Sequence, residues 1–364
     1  VISAAVDDLP VDPAGQRTPR RIFRAHVARE RLDVVARLRD VLGRPPIGLV
    51  AGYSFKTNPR AELLQLARER GFFAETISGD ELAWAARNGF PPDETVYNGP
   101  EPPPDRASSE RLAYVFADSV EAFARNMRRR VARVQGVRLR PSMIASRFGV
   151  PVEEERSLCD AVSLAPPDTP IGISFHARQG DFKGASWRDV AGDVLMRAIE
   201  LERRTGRRVV AFDAGGGWTP EDFDANFHSD MRWLVDRIFD TLPACTRLLF
   251  EAGQAVCTPT EALLTQVLEV RERAARREAI IDAGYSDWPE MHAYVHGFFV
   301  WRNARWEPLG RGPDRIAGRT CLEYDLIDGL RLPSDLAPGD RLLITGTGSY
   351  DHSMSFRFAS GEPG

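Results

Sequence analysis

Of the 48 basic residues in this 364-residue chain only two are lysines, Lys56 and Lys183. Arginine is always protonated, whereas a lysine amine can lose its proton and attack a carbon centre. Lys56 closes an apolar run of small residues, Ile47–Lys56 (IGLVAGYSFK). Partial desolvation there lowers the amine's proton affinity and makes it a competent Schiff-base nucleophile. A triple glycine, Gly215-Gly216-Gly217, follows another such run. Glycine amides at a strand-to-helix junction can approach a phosphate closely. Glu251 ends a third run (LLFEAGQ), with Gly253-Gln254 just after it. A carboxylate placed there can keep a pyridine nitrogen protonated, which makes the ring an electron sink. His176, ending Ile171–Ala177 (IGISFHA), offers a flat ring for stacking. Taken singly, these are a snorkelling lysine, a tight loop, a carboxylate paired with arginine and a core histidine. Taken together they describe a site for pyridoxal 5′-phosphate. FDAGGG also has the look of a methyltransferase cofactor turn, but such a turn follows the first strand of an open sheet. No GxxxxGK[ST], HExxH or GxSxG pattern is present, and no metal site is expected.

Eight runs must position these groups: Ile47–Lys56, Phe72–Ser78, Thr95–Gly99, Ala113–Ser119, Val134–Pro141, Ile171–Ala177, Val209–Gly217 and Arg247–Gln254. Between them lie helical patterns such as Arg60–Arg70, Gly79–Asn88, Ser119–Arg130 and Trp187–Thr205. Near-continuous apolar strands alternating with helices imply a parallel sheet covered on both faces. Eight such units predict an α/β fold, a closed (β/α)8 TIM-like barrel over residues 22–278. Function then belongs at the C-terminal strand ends, where Lys56, Ser78, Asn98, Asp118, Arg138, His176, Gly215–Gly217 and Glu251 fall. A helix is expected over Thr260–Glu278. Beyond it, short Gly/Pro-punctuated runs (Ala279–Ala283, Ala293–Arg302, Arg315–Tyr324, Arg341–Gly346) predict an antiparallel β domain, sandwich- or barrel-like, over residues 279–364. Residues 1–21 could lend it a strand.

Composition narrows the function class. With 48 basic against 52 acidic residues the formal charge is 48 − 52 = −4, which leaves no electrostatic footprint for nucleic acid or an anionic membrane. No apolar run approaches the roughly 20 residues that span a bilayer. Cys159, Cys245, Cys257 and Cys321 are widely spaced, which argues against a disulfide framework. The expectation is a cytoplasmic, soluble protein.

Tyr53-Ser54-Phe55-Lys56-Thr57-Asn58-Pro59 resembles the YxxKxNP signature of the fold type III, alanine-racemase-like decarboxylases, the group of the diaminopimelate, ornithine and carboxynorspermidine enzymes. The resemblance continues in family order through Ser78–Leu82, Asn98-Gly99-Pro100, Ser146–Gly149, His176, Phe212–Gly217, Glu251–Gln254, Gly318–Asp325 (GRTCLEYD) and Gly348–Asp351. It implies a head-to-tail homodimer with shared active sites that decarboxylates an amino acid. By the same resemblance Lys56 binds the cofactor covalently, with Glu75 and Glu81 as supporting acids. His176 stacks on the ring and Glu251 pairs with its nitrogen. Gly215, Gly216, Gly217, Gly253 and Tyr350 hold the phosphate, and Arg138 matches an arginine of the fifth strand. Cys321, from the partner subunit, reprotonates the product carbon.

The departures bear on substrate. Gln254 stands where the family has an arginine on the phosphate, and Arg178 (in His176-Ala177-Arg178-Gln179) could replace that charge. Leu322 follows Cys321 where ornithine and diaminopimelate decarboxylases have an acidic residue, and Glu290 lies where the diaminopimelate enzymes have an arginine. With Glu323 and Asp325, these residues are the expected substrate contacts. They point to a non-standard or conjugated diamino acid. A racemase of the same fold, with Tyr324 as second base, and a non-catalytic pyridoxal-phosphate carrier are the alternatives.

Overall fold

The computed structural model describes residues 9, 13, 15–105, 110–178, 184–274 and 276–358. Two compact units emerge, one of Glu30–Lys56 with Arg60–Ala255, the other of the remaining segments. The first strand, β1 (Arg20–Phe23), belongs to the second unit.

The first unit is the barrel. Its strands are β2 (Gly48–Ser54), β3 (Phe73–Thr76), β4 (Thr95–Tyr97), β5 (Leu112–Ala117), β6 (Ala132–Arg138), β7 (Ile171–Ser174), β8 (Val209–Asp213) and β9 (Arg247–Glu251). Each pairs in parallel with the next, and β9 closes on β2 from Gly48↔Arg247 to Gly52↔Glu251. All eight expected strands are present. Val50, Val96, Tyr114, Phe116, Ala211 and Leu249 fill the interior. Phe116 needs β6 and β7 to give way: a Cβ at Gly136 or Gly172 would stand 2.3 or 2.8 Å from its ring. The covering helices start where serines cap them. Ser78 Oγ accepts from Glu81 N at 3.1 Å, Ser119 Oγ from Ala122 N at 3.1 Å and Ser186 Oγ from Asp189 N at 3.3 Å. Such caps contribute about 1 kcal/mol each. They fix where the loops above the barrel turn into the helices Gly79–Arg87, Val120–Arg129 and Trp187–Thr205.

The second unit carries β1 and β10 (Glu261–Arg273), β11 (Arg276–Ile281), β12 (Gly297–Arg302), β13 (Arg305–Pro308), β14 (Gly310–Ala317), β15 (Leu326–Arg331) and β16 (Arg341–Thr345) in one eight-stranded sheet. Three expectations are corrected here. Thr260–Glu278 is not a helix; most of it is the long strand β10. Ala262 and Leu264 face one core while Leu263 and Val267 face another. Burial on both faces makes an alternating strand read as an unbroken apolar run. The units consequently part at Ala255/Val256 rather than after residue 278, and β10 goes with the sheet. Finally, β11 pairs parallel with β14, so the sheet is mixed, not wholly antiparallel. The expected N-terminal strand is β1, antiparallel to β10 and straddling the boundary drawn at residue 21.

Candidate active site

Lys56 follows β2 with its side chain 26% exposed, and its Nζ sits 2.8 and 2.9 Å from the two oxygens of Glu75 on β3. Glu75 is fully buried. Burial pushes its carboxyl up, the charge of Glu251 pushes the same way, and Lys56 offsets only part. A carboxyl that resists ionisation next to an amine is a ready exchange partner for the amine's proton. Glu81 accepts the Ile77 amide at 2.8 Å and is raised by burial to about 7. Lys183 and Gln179 lie outside the described residues.

Glu251 ends β9, directly across the β2–β9 ladder from Gly52. Its Oε1 accepts from Asn98 Nδ2 and its Oε2 lies 3.4 Å from His176 Nδ1. Burial acts to raise this carboxyl, but His176, Lys56 and Arg138 outweigh it and bring it down to about 2. Glu251 is therefore an anion at neutral pH. Nδ1 of His176 also lies 3.2 Å from the Gly216 amide. That nitrogen accepts from the amide in the neutral ring and donates to Glu251 once protonated. Asp213, ending β8, is buried and pushed well above the usual carboxylate range by burial and by Glu251. Of these neighbouring carboxylates Glu251 is lowered, whereas Glu75 and Asp213 are raised.

Lys56, Glu75, Asn98, Arg138, His176 and Glu251 line one cavity of about 340 Å³, together with Asp118, Arg178, Ser146, Phe148 and Ile144. That volume lies within the range that takes a small-molecule ligand. Burial pulls Arg138 below its ordinary value, against the pull of Glu251 and Asp118. Exposed Arg178 also lies on the wall. The triple glycine turns with φ of +66° at Gly215 and +96° at Gly217. Its packing is tight: a Cβ on Gly215 would meet Phe175 O at 2.3 Å, one on Gly216 would meet Glu251 O at 2.7 Å, and one on Gly217 would meet Arg178 Cα at 2.9 Å. The Gly215 amide goes to Asp213 Oδ1 at 2.9 Å and the Gly216 amide to His176. The run therefore does not offer three amides to a phosphate. Gly253 and Gln254 follow the adjacent strand β9 and are buried.

Residues 33–258 match the family described as pyridoxal-dependent decarboxylase, pyridoxal binding domain, and residues 190–348 match the pyridoxal-dependent decarboxylase C-terminal sheet domain. The chain belongs to the pyridoxal-dependent decarboxylases. Diaminopimelate decarboxylase of Aquifex aeolicus is 24% identical over 94% of this chain and 84% of its own. Lysine/ornithine decarboxylase of Selenomonas ruminantium is 23% identical over 84% of this chain and 80% of its own. The arginine decarboxylase of Paramecium bursaria Chlorella virus, solved with agmatine, superimposes with a TM-score of 0.76 at 18% identity, covering 95% of each chain, a likeness of fold. As a member of this family the chain is an amino-acid decarboxylase that uses pyridoxal 5′-phosphate. The residues present suit that cofactor. A lysine amine, an ionised carboxylate for a ring nitrogen, two arginines and a turn that only glycine can follow meet at one end of the barrel. Asn98 Oδ1, buried there, has no hydrogen-bond partner among the described residues. No helix among the described residues is long and apolar enough to cross a membrane.

The remaining sequence candidates lie in the sheet unit of this decarboxylase. Cys321 is exposed between β14 and β15, whereas Cys159, Cys245 and Cys257 are buried. Leu322 is half-buried and Glu323 exposed. Asp325, an expected substrate contact, is engaged within its own loop. It is buried, its Oδ1 accepts from Tyr285 N at 2.8 Å, and its Oδ2 accepts from both donors of Thr320. Both oxygens are taken up in fixing the GRTCLEYD loop. Glu290 is half-buried, and its amide donates to Asp351 Oδ1 at 2.9 Å. Tyr350 has a left-handed φ of +64°, gives its amide to Thr57 O at 2.7 Å and faces the Tyr294 ring at 6.4 Å between centroids. Asn98, Asp118 and Asp213 were visible as polar strand ends or within a motif, yet only the structure shows how Asn98 engages Glu251.

Proposed function

We propose that this decarboxylase removes the α-carboxylate of an amino acid other than ornithine or meso-diaminopimelate, a non-standard or conjugated diamino acid, with Lys56 as the cofactor-bearing lysine. The observation that carries the reading is the pairing of Lys56 with buried Glu75 in the same cavity as ionised Glu251. Pyridoxal 5′-phosphate supplies the electron sink for the pair left at Cα when the carboxylate departs. Glu75 accepts the proton that Lys56 must lose before its amine can act. Glu251 holds a proton on the cofactor's ring nitrogen, and His176 covers the ring. Gly217, Gly253 and Tyr350 hold the phosphate, with Arg178 in place of the charge that Gln254 lacks and Arg138 adding a second.

Cys321 of the partner subunit returns a proton to Cα, in a head-to-tail homodimer. Its exposure supports this, since a proton donor supplied across an interface must stand clear of its own core. Leu322, Glu323 and Glu290 contact the distal part of the substrate. No acidic side chain at residue 322 can read a distal amine there, which favours a substrate unlike the two standard ones. No disulfide joins Cys159, Cys245, Cys257 and Cys321, which suits a reducing, cytoplasmic setting.

The test is a screen of basic, acidic and conjugated diamino acids, with CO₂ release, product mass and optical rotation followed together. Carbon dioxide with an amine product supports the proposal. Loss of rotation without CO₂ would assign a racemase, and cofactor binding without turnover of any amino acid would assign a carrier.

A further inference from the structure

Two buried carboxylates end adjacent strands, Asp213 on β8 and Glu251 on β9, and one neutral side chain reaches the second of them. Asn98, just past β4, donates Nδ2 to Glu251 Oε1. Its Oδ1 is buried without a partner among the described residues. An unmet buried acceptor costs about 1–3 kcal/mol, so self-satisfaction does not account for this asparagine. What it donates does. Asn98 and Glu251 both line the cavity, whereas Asp213 does not and has Oδ1 occupied by the Gly215 amide.

We propose that Asn98 is a positioning residue for the decarboxylation: it ties Glu251 Oε1 and so fixes the orientation in which Oε2 is left to the cofactor's ring nitrogen. The proposal rests on the reading of Glu251 as the ring-nitrogen partner. The charged and titratable neighbours of Glu251 are Glu75, Asp213, His176, Lys56 and Arg138. Among three carboxylates this close, a neutral donor is the side chain that steadies one anion without adding another. An aspartate at residue 98 would be nearly isosteric but would add a fourth acid and remove the amide donor. An alanine would remove the donor alone.

The experiment uses holoenzyme and needs no substrate. The visible absorbance of the bound cofactor is titrated from about pH 5 to 10, and cofactor affinity is measured by equilibrium dialysis, for wild type, Asn98→Ala, Asn98→Asp and Glu251→Gln. Asn98→Ala and Asn98→Asp should each displace the midpoint in the direction that Glu251→Gln does, by about one pH unit, and weaken cofactor binding about tenfold. Should Asn98→Ala fail to fold, Asn98→Asp decides. If the Asn98 variants titrate and bind as wild type while Glu251→Gln shifts the midpoint, the positioning role is overturned and the reading of Glu251 stands. If Glu251→Gln itself titrates as wild type, that underlying reading fails.

Discussion

Gly216→Ala is a narrow perturbation of the candidate site. The new Cβ would stand 2.7 Å from Glu251 O, 3.2 Å from Glu251 Cβ and 3.4 Å from His176 Cε1. Gly216 is not among the glycines with positive φ, so the backbone itself tolerates alanine. The obstacle is Glu251, whose amide is tied to Gly215 O at 2.7 Å. Restoring an ordinary contact of 3.4 Å requires a shift of 3.4 − 2.7 = 0.7 Å at that backbone. Overpacking of this kind costs about 1–3 kcal/mol. A misplacement approaching 1 Å at a catalytic centre costs up to about 100-fold in rate. We therefore expect kcat to fall about 10–100-fold, with a folded chain and a Tm lowered by several degrees. The assay is CO₂ release on the amino acid found in the screen, with cofactor affinity measured alongside. Gly48→Ala, at the other end of the barrel, is the control, because its Cβ meets only the Arg247 guanidinium at 3.4 Å. Wild-type kcat and cofactor affinity in Gly216→Ala would show that chemistry does not depend on the present placement of Glu251 and His176.

Other outcomes follow from the same geometry. Arg178→Gln should weaken cofactor binding about 10–100-fold, the scale of a charge-assisted hydrogen bond, and adding Gln254→Arg should restore it; equal affinities in all three proteins would remove Arg178 from the phosphate. Cys321→Ala should leave cofactor binding and Tm unchanged but cut turnover about 100-fold or divert the product, and unchanged kinetics and products would exclude it as the acid. Buried Asp351, raised mainly by burial to about 8, binds a proton in the folded state that the unfolded chain loses near 3.8. Its contribution to stability is thus greatest below pH 3.8 and is lost as pH rises toward 8, by about 1.4 kcal/mol per unit. Asp351→Asn should consequently gain in Tm relative to wild type between pH 5 and 8, and parallel curves would contradict that assignment.

The barrel was legible because its strands are covered on both faces and so stand out as apolar runs, and because their polar ends mark one rim. The same property misled at β10, where two cores on opposite faces hide the alternation of Ala262, Leu263 and Leu264. β13 (RWEP) and β15 (LIDGLR) were missed because short, charged, partly exposed strands carry no clear period. At the site, residue types were readable but hydrogen-bond destinations were not. Glycine spacing cannot say that Gly215 and Gly216 spend their amides on Asp213 and His176. Nor can it show that Asn98 reaches Glu251, 153 residues further along the chain. Asp325 looked like a substrate contact because it sits in the motif beside Cys321, but its carboxylate holds the loop that carries that motif.

The most direct measurement exploits the chain's two lysines. Holoenzyme is treated with borohydride, digested, and its peptides are mapped by mass. The reduced cofactor is expected on the peptide containing Lys56 and none on Lys183. Label on Lys183, or no labelled lysine in a protein that binds the cofactor, would contradict the assignment of Lys56.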